Sequence, residues 1–304
     1  MRALITGGAG FIGSRLRVDL LDAGHEALVV DDLRLDHPRP EPHERLQVVV
    51  DSLGGDAVAD AIVAFGPEVV FHLAAIHYIP YTEAHPEETR QVNVDGTAWI
   101  LKLCEDLAPR AVVACSSAAV YGFSDEPLRE DAPFAPRGVY GETKIETERL
   151  LGSFAAAHPG VRVAAARLFN VYGPGDRNPH LMPALMEQIR RGDTIKVGNT
   201  WPKRDYVHVN DAAAALLRLS AGPPGFAAYN VGTGIGTSVT GLIDALVAAA
   251  GLTGQSARWE ADATRVRADD GHLVSDPSRI TADTGWRPEV RLRDGLAWLV
   301  EDIA

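Results

Sequence analysis

The sequence is poor in cysteine, and its two, Cys104 and Cys115, lie in apolar surroundings with no metal-ligand spacing. That excludes a disulfide-stapled scaffold and a thiolate metal centre, and it points to reduced thiols in a cytoplasmic compartment. Long apolar runs are also missing. No stretch approaches the roughly 20 residues that a transmembrane helix needs, and Ala3-Leu4-Ile5 is too short for the apolar core of a signal peptide. Positive charge is in deficit, with 29 Lys and Arg against 41 Asp and Glu and a net charge of -12, which argues against a nucleic-acid surface. A local basic patch for a phosphorylated ligand remains compatible with that balance. His37 and His43 stand in a proline-rich loop, 36–43, with no supporting cluster, so no metal site is expected. There is no internal repeat.

What the chain does have is ordinary globular composition, 46% hydrophobic over 304 residues, enough for one large or two modest domains. Residues 2–6 read as a short strand that stops at glycine, and 11–23 as a helix with Leu16, Leu20 and Leu21 on one side. Between them, Gly7, Gly8, Gly10 and Gly13 match both the dinucleotide fingerprint and its wider form. The chemistry behind the spacing is a backbone able to approach a pyrophosphate at a helix N-terminus. A second strand, Ala27-Leu28-Val29-Val30, ends in Asp31-Asp32. An acid there accepts hydrogen bonds from a ribose and repels a ribose phosphate, favouring NAD over NADP, while Arg34 speaks the other way. Further strands are read at 46–50, 69–73, 111–115, 161–168 and 228–232, and helices at 86–107, 140–157, 211–219 and 238–250. Alternation of strand and helix predicts an α/β fold with a Rossmann-like, doubly wound parallel sheet. His72, inside a strand, reads as a satisfied core histidine.

The stretch from Cys115 to Lys144 carries the chemistry. The strand at 111–115 ends at Ser116-Ser117, and Tyr140 and Lys144, at i and i+4, point to one side of a helix. A tyrosine acting as a base near neutral pH needs its pKa of about 10 lowered by two to three units, about 3 to 4 kcal/mol. One ammonium at about 5 Å, with an effective dielectric near 20, supplies roughly 3 kcal/mol. Lys144 alone nearly suffices on that reckoning, and a cationic nicotinamide adds more.

These segments together resemble the extended short-chain dehydrogenase/reductase superfamily, and within it the nucleotide-sugar epimerase/dehydratase family. The resemblance rests on Thr6-Gly7-Gly8-Ala9-Gly10-Phe11-Ile12-Gly13, His72-Leu73-Ala74-Ala75, Asn93-Val94-Asp95-Gly96-Thr97 and Ser116 to Gly122. It continues through the Tyr140/Lys144 pair, Arg167 to Pro174 and Arg204 to Val209. It implies NAD held by Gly7, Gly10, Phe11, Ile12, Gly13, Asp31, Asp32, Asp51, Ser52, Leu73, Ala74, Ala75, Asn93, Tyr140, Lys144 and Phe169. It also implies a smaller, discontinuous α/β substrate domain (173–204 and 234–304) beside the dinucleotide domain (1–172 and 205–233). Tyr78, Ser117, Tyr140, Asn170, Arg177, Leu181, Arg204, Arg267 and Asp269 are the substrate positions, with Arg265 competing with Arg267 for one role. The relatives' long helices pair as a four-helix bundle, so a homodimer is implied too.

In this family Tyr140 is the base, Lys144 its electrostatic partner and Ser117 the hydroxyl that positions the substrate oxygen. Similar dehydratases carry an acid pair, and related decarboxylases a carboxylate, just after this hydroxyl; here the residues are Ala118-Ala119. Neither alanine moves a proton, so the expected reaction is 4-epimerisation of a UDP-hexose or UDP-hexuronate through a transient 4-keto sugar. The competing expectation is a dehydratase or decarboxylase drawing its acid from Glu83 or Asp125. A dinucleotide-binding sensor is a third, opposed by retention of Tyr140, Lys144 and Ser117.

Overall fold

The computed structural model describes residues 1–34, 37–177, 180–192, 194–252, 258–266 and 271–301. Its strands are β1 (Arg2–Thr6), β2 (Glu26–Asp31), β3 (Leu46–Val50), β4 (Val69–His72), β5 (Ala111–Ser117), β6 (Arg162–Leu168), β7 (Asn170–Tyr172), β8 (Ile195–Val197), β9 (Lys203–His208), β10 (Gly225–Val231), β11 (Gly236–Ser238) and β12 (Trp259–Ala261). Seven of them form one sheet in the order β3-β2-β1-β4-β5-β6-β10, and every pairing in it is parallel. β4 and β6 are buried over their whole length, as strands covered on both faces must be.

Helices supply the two covers. α1 (Phe11–Asp22), α8 (Val209–Leu219) and α10 (Ser278–Thr284) pack on the face that Ala3 and Ile5 present. α2 (Asp56–Phe65), α5 (Gly96–Leu107) and α6 (Gly138–Ala157) pack on the face of Leu4, where Ile62, Ile100 and Leu151 are fully buried or nearly so. The alternation of side chains along a strand decides which residue meets which cover.

Two local features depart from the sequence reading. The aromatic stretch after β4 forms a short helix, α3 (Ile79–Ala84), with Pro80 in its first turn. The helix expected over 86–107 is divided into α4 (Pro86–Arg90), a π-helical turn (Gln91–Asp95) and α5. The reason lies at the Asn93 carbonyl, which accepts hydrogen bonds from the Thr97 hydroxyl (2.6 Å) and the Thr147 hydroxyl (3.3 Å). Side chains entering the helical ladder in this way widen it.

A third core lies outside the main sheet. Met182 and Leu185 of α7 (Leu181–Arg191), Ile195 and Val197 of β8, Leu242 and Leu246 of α9 (Val239–Ala249) and Leu296 of α11 (Leu292–Glu301) build it. β9 joins β7 in parallel and β11 in antiparallel register, while β8 pairs with β12. Asp205, fully buried in β9, accepts hydrogen bonds from Thr233 N (2.8 Å), Gly234 N (2.9 Å) and Ser275 Oγ (2.5 Å), latching this region to the end of β10.

Polar groups between the main sheet and α6 are strongly connected. Glu148 of α6 accepts from Arg167 Nε (2.9 Å), Arg167 Nη2 (2.7 Å) and Ser116 Oγ (2.5 Å). Arg167 Nη1 donates to Tyr121 OH (2.6 Å) and to the Glu130 carbonyl (2.9 Å), and Tyr121 OH donates to Asn230 Oδ1 (2.7 Å). Both charged side chains are 4% exposed, so removing either strands its partner in low dielectric. Arg167→Met is therefore expected to destabilise the protein by about 3 to 5 kcal/mol in urea unfolding. Arg167→Met combined with Glu148→Leu should recover a large part of that loss.

Candidate active site

The C-terminal ends of β1, β4, β5 and β6 open into one cavity of about 1740 Å³. A single small-molecule pocket spans about 300 to 1,000 Å³, so this cleft has room for a dinucleotide and a second nucleotide together. Its position is the crevice at which open α/β sheets place their ligands.

Gly7, Gly10, Phe11, Ile12 and Gly13 line one end. The turn is closed so tightly that a Cβ added at Gly13 would stand 2.2 Å from the Gly7 carbonyl oxygen. Asp31 lines the same end and braces the turn: its Oδ2 accepts from Ala9 N and its Oδ1 from Leu33 N, both at 2.9 Å. Asp32, Asp51, Ser52, Leu73, Ala74, Ala75 and Phe169 complete the lining of this half. Asn93 stands elsewhere. It is 2% exposed, off the cleft lining, and bonded through Oδ1 to Ile76 N (2.8 Å) and through Nδ2 to the Ile76 carbonyl (2.9 Å) and Thr143 Oγ1 (3.1 Å). Its amide secures the loop after β4 from behind.

At the other end, Ser117 leaves β5 beside the start of α6. Its Oγ accepts from Ala119 N (3.1 Å), and the hydroxyl is near enough to the Tyr140 phenol to favour its ionised form. The approach depends on Gly141, where a Cβ would lie 2.4 Å from the Ala119 carbonyl oxygen. One turn on, Lys144 is 5% exposed and donates from Nζ to the Cys115 carbonyl (2.8 Å), with Nζ 5.6 Å from the Tyr140 ring centroid. Burial lowers this ammonium to about 8.

The tyrosine differs from the sequence reckoning. Burial pushes its phenol up to about 12, the nearby Ser117 hydroxyl opposes that, and Lys144 does not lower it. Desolvation outweighs the single ammonium, whose proton is directed at a backbone carbonyl. His72 is held on both ring nitrogens, by Thr6 Oγ1 (2.7 Å) and Thr97 Oγ1 (2.9 Å), and burial with Lys144 nearby lowers it to about 3.

The expected substrate positions divide. Tyr78, Asn170, Leu181 and Arg204 line the cleft, as does Arg265; Arg177 is exposed and off the lining, with its neighbour Asp176 on it instead. Arg267 and Asp269 lie outside the described residues. Arg204 Nη1 donates to the carbonyls of Lys203 (3.0 Å) and Gly271. Sequence reasoning missed His180, whose ring lies 5.9 Å from His77 and 6.2 Å from Tyr78. All three line the cleft, and burial with His180 and Lys144 nearby lowers His77 to about 4. No periodicity marks His180, because its partners are about 100 residues away in sequence. Among the described residues no group of three His, Cys, Asp or Glu could hold a metal ion, and no helix is long and apolar enough to cross a membrane.

A seven-stranded parallel sheet with a glycine turn after its first strand defines a dinucleotide-binding α/β enzyme of the Rossmann class. More specifically, the chain belongs to the NAD dependent epimerase/dehydratase family, whose model matches residues 3–232. It is 32% identical to the UDP-glucose 4-epimerase of Azospirillum brasilense over 97% of this chain and 89% of that protein. A UDP-glucose 4-epimerase structure from Thermotoga maritima, with UDP-glucose, superposes at a TM-score of 0.91 with 28% identity, covering 99% of this chain and 98% of the other. MoeE5 in complex with UDP-glucuronic acid and NAD gives a TM-score of 0.88 with 31% identity over the same shares.

The closeness of the glycine turn generates a direct test. Gly13→Val should abolish binding of NADH, followed by its fluorescence, while the far-UV circular dichroism spectrum keeps the parent's shape.

Proposed function

We propose that this protein is an NAD-dependent nucleotide-sugar 4-epimerase acting on a UDP-hexose or UDP-hexuronate through a transient 4-keto sugar. The observation that carries this reading is Ser117 near Tyr140 and beside Lys144, with Ala118 and Ala119 following the serine. The glycine turn, with no room for a Cβ at Gly13, and the acid at Asp31 suit a dinucleotide without a ribose phosphate. When bound, that cofactor would supply a hydride acceptor and donor for the sugar and a positive charge within the cleft.

The chain's own residues handle the proton and the geometry. Tyr140 takes the proton of the C4 hydroxyl and gives it back, so it ends each cycle as it began. Ser117 holds the C4 oxygen in line with the phenol. Lys144 would anchor the cofactor ribose, and its charge stands near the phenol without lowering it in this structure, its Nζ donating to the Cys115 carbonyl. Elimination of water requires an acid here, and neither alanine after Ser117 supplies one. Of the two alternatives, Glu83 lines the cleft with its Oε1 accepting from Val139 N (2.9 Å) at the start of α6, and Asp125 is exposed and off the cleft lining.

In this reading the substrate diphosphate meets Arg204 and one of Arg265 and Arg267, with Asn170, Leu181, Tyr78, Arg177 and Asp269 as further contacts. Residues 1–172 and 205–233 carry the cofactor, and 173–204 with 234–304 carry the nucleotide sugar; the separate third core supports that division. A homodimer through a four-helix bundle is supported by α5 and α6 lying together on one face, with Leu103 and Leu150 only partly buried. A cytoplasmic setting is supported by the two free, buried cysteines, whose thiols burial raises to about 12.

Incubation with UDP-glucose and UDP-glucuronate should yield a product of unchanged mass with an inverted C4 proton signal by NMR; loss of water or carbon dioxide would reject epimerisation. Tyr140→Phe should lower kcat by about 100- to 10,000-fold with NADH binding retained. Because burial lowers Lys144 to about 8, its charge is lost as pH rises through that value, and kcat/KM should fall on the alkaline side. Lys144→Arg, whose guanidinium keeps its proton beyond about pH 12, should remove that limb from whatever activity it retains.

A further inference from the structure

Arg34 is the residue in this cleft that contradicts the preference for NAD. It follows β2 by three positions and lines the cavity beside Asp31 and Asp32, where an arginine ordinarily accommodates a ribose 2′-phosphate. In this chain its donors are directed elsewhere. Nε donates to Asp32 Oδ2 (2.7 Å), and Nη1 donates across the cleft mouth to Glu88 Oε1 (3.0 Å) of α4. The second oxygen of Glu88 accepts from Tyr81 OH (2.7 Å), and the Tyr81 ring stacks on His85 at 4.1 Å. Asp32, Arg34, Tyr81 and Glu88 all line the cavity.

The carboxylate that engages Arg34 Nη1 is thus 54 residues distant and comes from another element, bonded in turn to a tyrosine of α3. We infer that Glu88, oriented by Tyr81, is a cofactor-specificity residue that sequesters Arg34 and so excludes NADP from a site otherwise equipped with a phosphate-binding guanidinium. Each of these contacts is partly exposed and individually weak as a source of stability. Their effect is on direction: the guanidinium has its charge balanced by two carboxylates and two of its five N–H donors engaged by them, and a phosphate must compete for these. Relieved of Glu88, Nη1 becomes available to a 2′-phosphate, and one negative charge leaves the cleft mouth.

This inference rests on the cleft being the dinucleotide site and is independent of which sugar is turned over. The test is displacement of bound NADH by NAD and by NADP, followed through NADH fluorescence, for the parent, Glu88→Gln and Glu88→Gln/Arg34→Met. The ratio of NADP to NAD dissociation constants should fall at least about tenfold in the single variant and return toward the parent value in the double variant. A ratio unchanged within about twofold in Glu88→Gln would overturn the inference. A double variant as permissive as the single one would overturn it too, since repulsion by Glu88 alone would then account for the effect. Failure of the parent to bind NADH would overturn the dinucleotide reading itself, an outcome separate from any result with sugar substrates.

Discussion

The buried pair Glu148–Arg167 is the interaction on which the rest of the site depends. It fastens α6 to β5 and β6 at the level where those strands end, and it draws in Ser116, Tyr121 and Asn230. Glu148 is one helical turn beyond Lys144, and Lys144 one turn beyond Tyr140, so fastening the helix at Glu148 sets the height of both groups above the sheet. Gly141 then permits α6 to touch the turn after Ser117. A buried ion pair contributes modestly to net stability, but this one is satisfied on both sides and determines where a catalytic helix lies.

Electrostatics at the site follows from the same burial. The phenol of Tyr140 and the ammonium of Lys144 are each pushed toward their neutral forms, one up to about 12 and the other down to about 8. Taking charge out of water costs more here than one neighbour returns. A site in this condition responds strongly to a cationic ring arriving beside it, since an added charge acts in low dielectric. In the proposed reaction, proton transfer by Tyr140 is in that sense coupled to occupancy of the cofactor position.

Strands and helices are readable locally because their evidence is local. The runs at β1, β2 and β3 are short and apolar, their endings are marked by glycine or acid, and the helices repeat at 3.6 residues. The π-turn at Gln91–Asp95 is not readable, because the hydroxyl of Thr147 that helps widen it comes from another helix. The same limit explains Asn93, whose type and motif suggested a cofactor contact and whose amide is instead bonded to Ile76 and Thr143. His180 and Asp176 reach the cleft only because the chain returns past the end of β6, and nothing in their own neighbourhood announces it.

The sequence by itself determined the order of the main-sheet strands, the glycine turn, the pairing of Tyr140 with Lys144 on one helix face and the want of a proton donor at Ala118-Ala119. These are properties of residue type and short spacing, for which backbone geometry provides the ruler. Tertiary structure alone decided that the tyrosine's phenol is raised by burial, that Glu83 binds the start of α6, and that Arg34 is bonded to Glu88. Each of those depends on the distance and dielectric between groups far apart along the chain, and these exist only once the layers have packed.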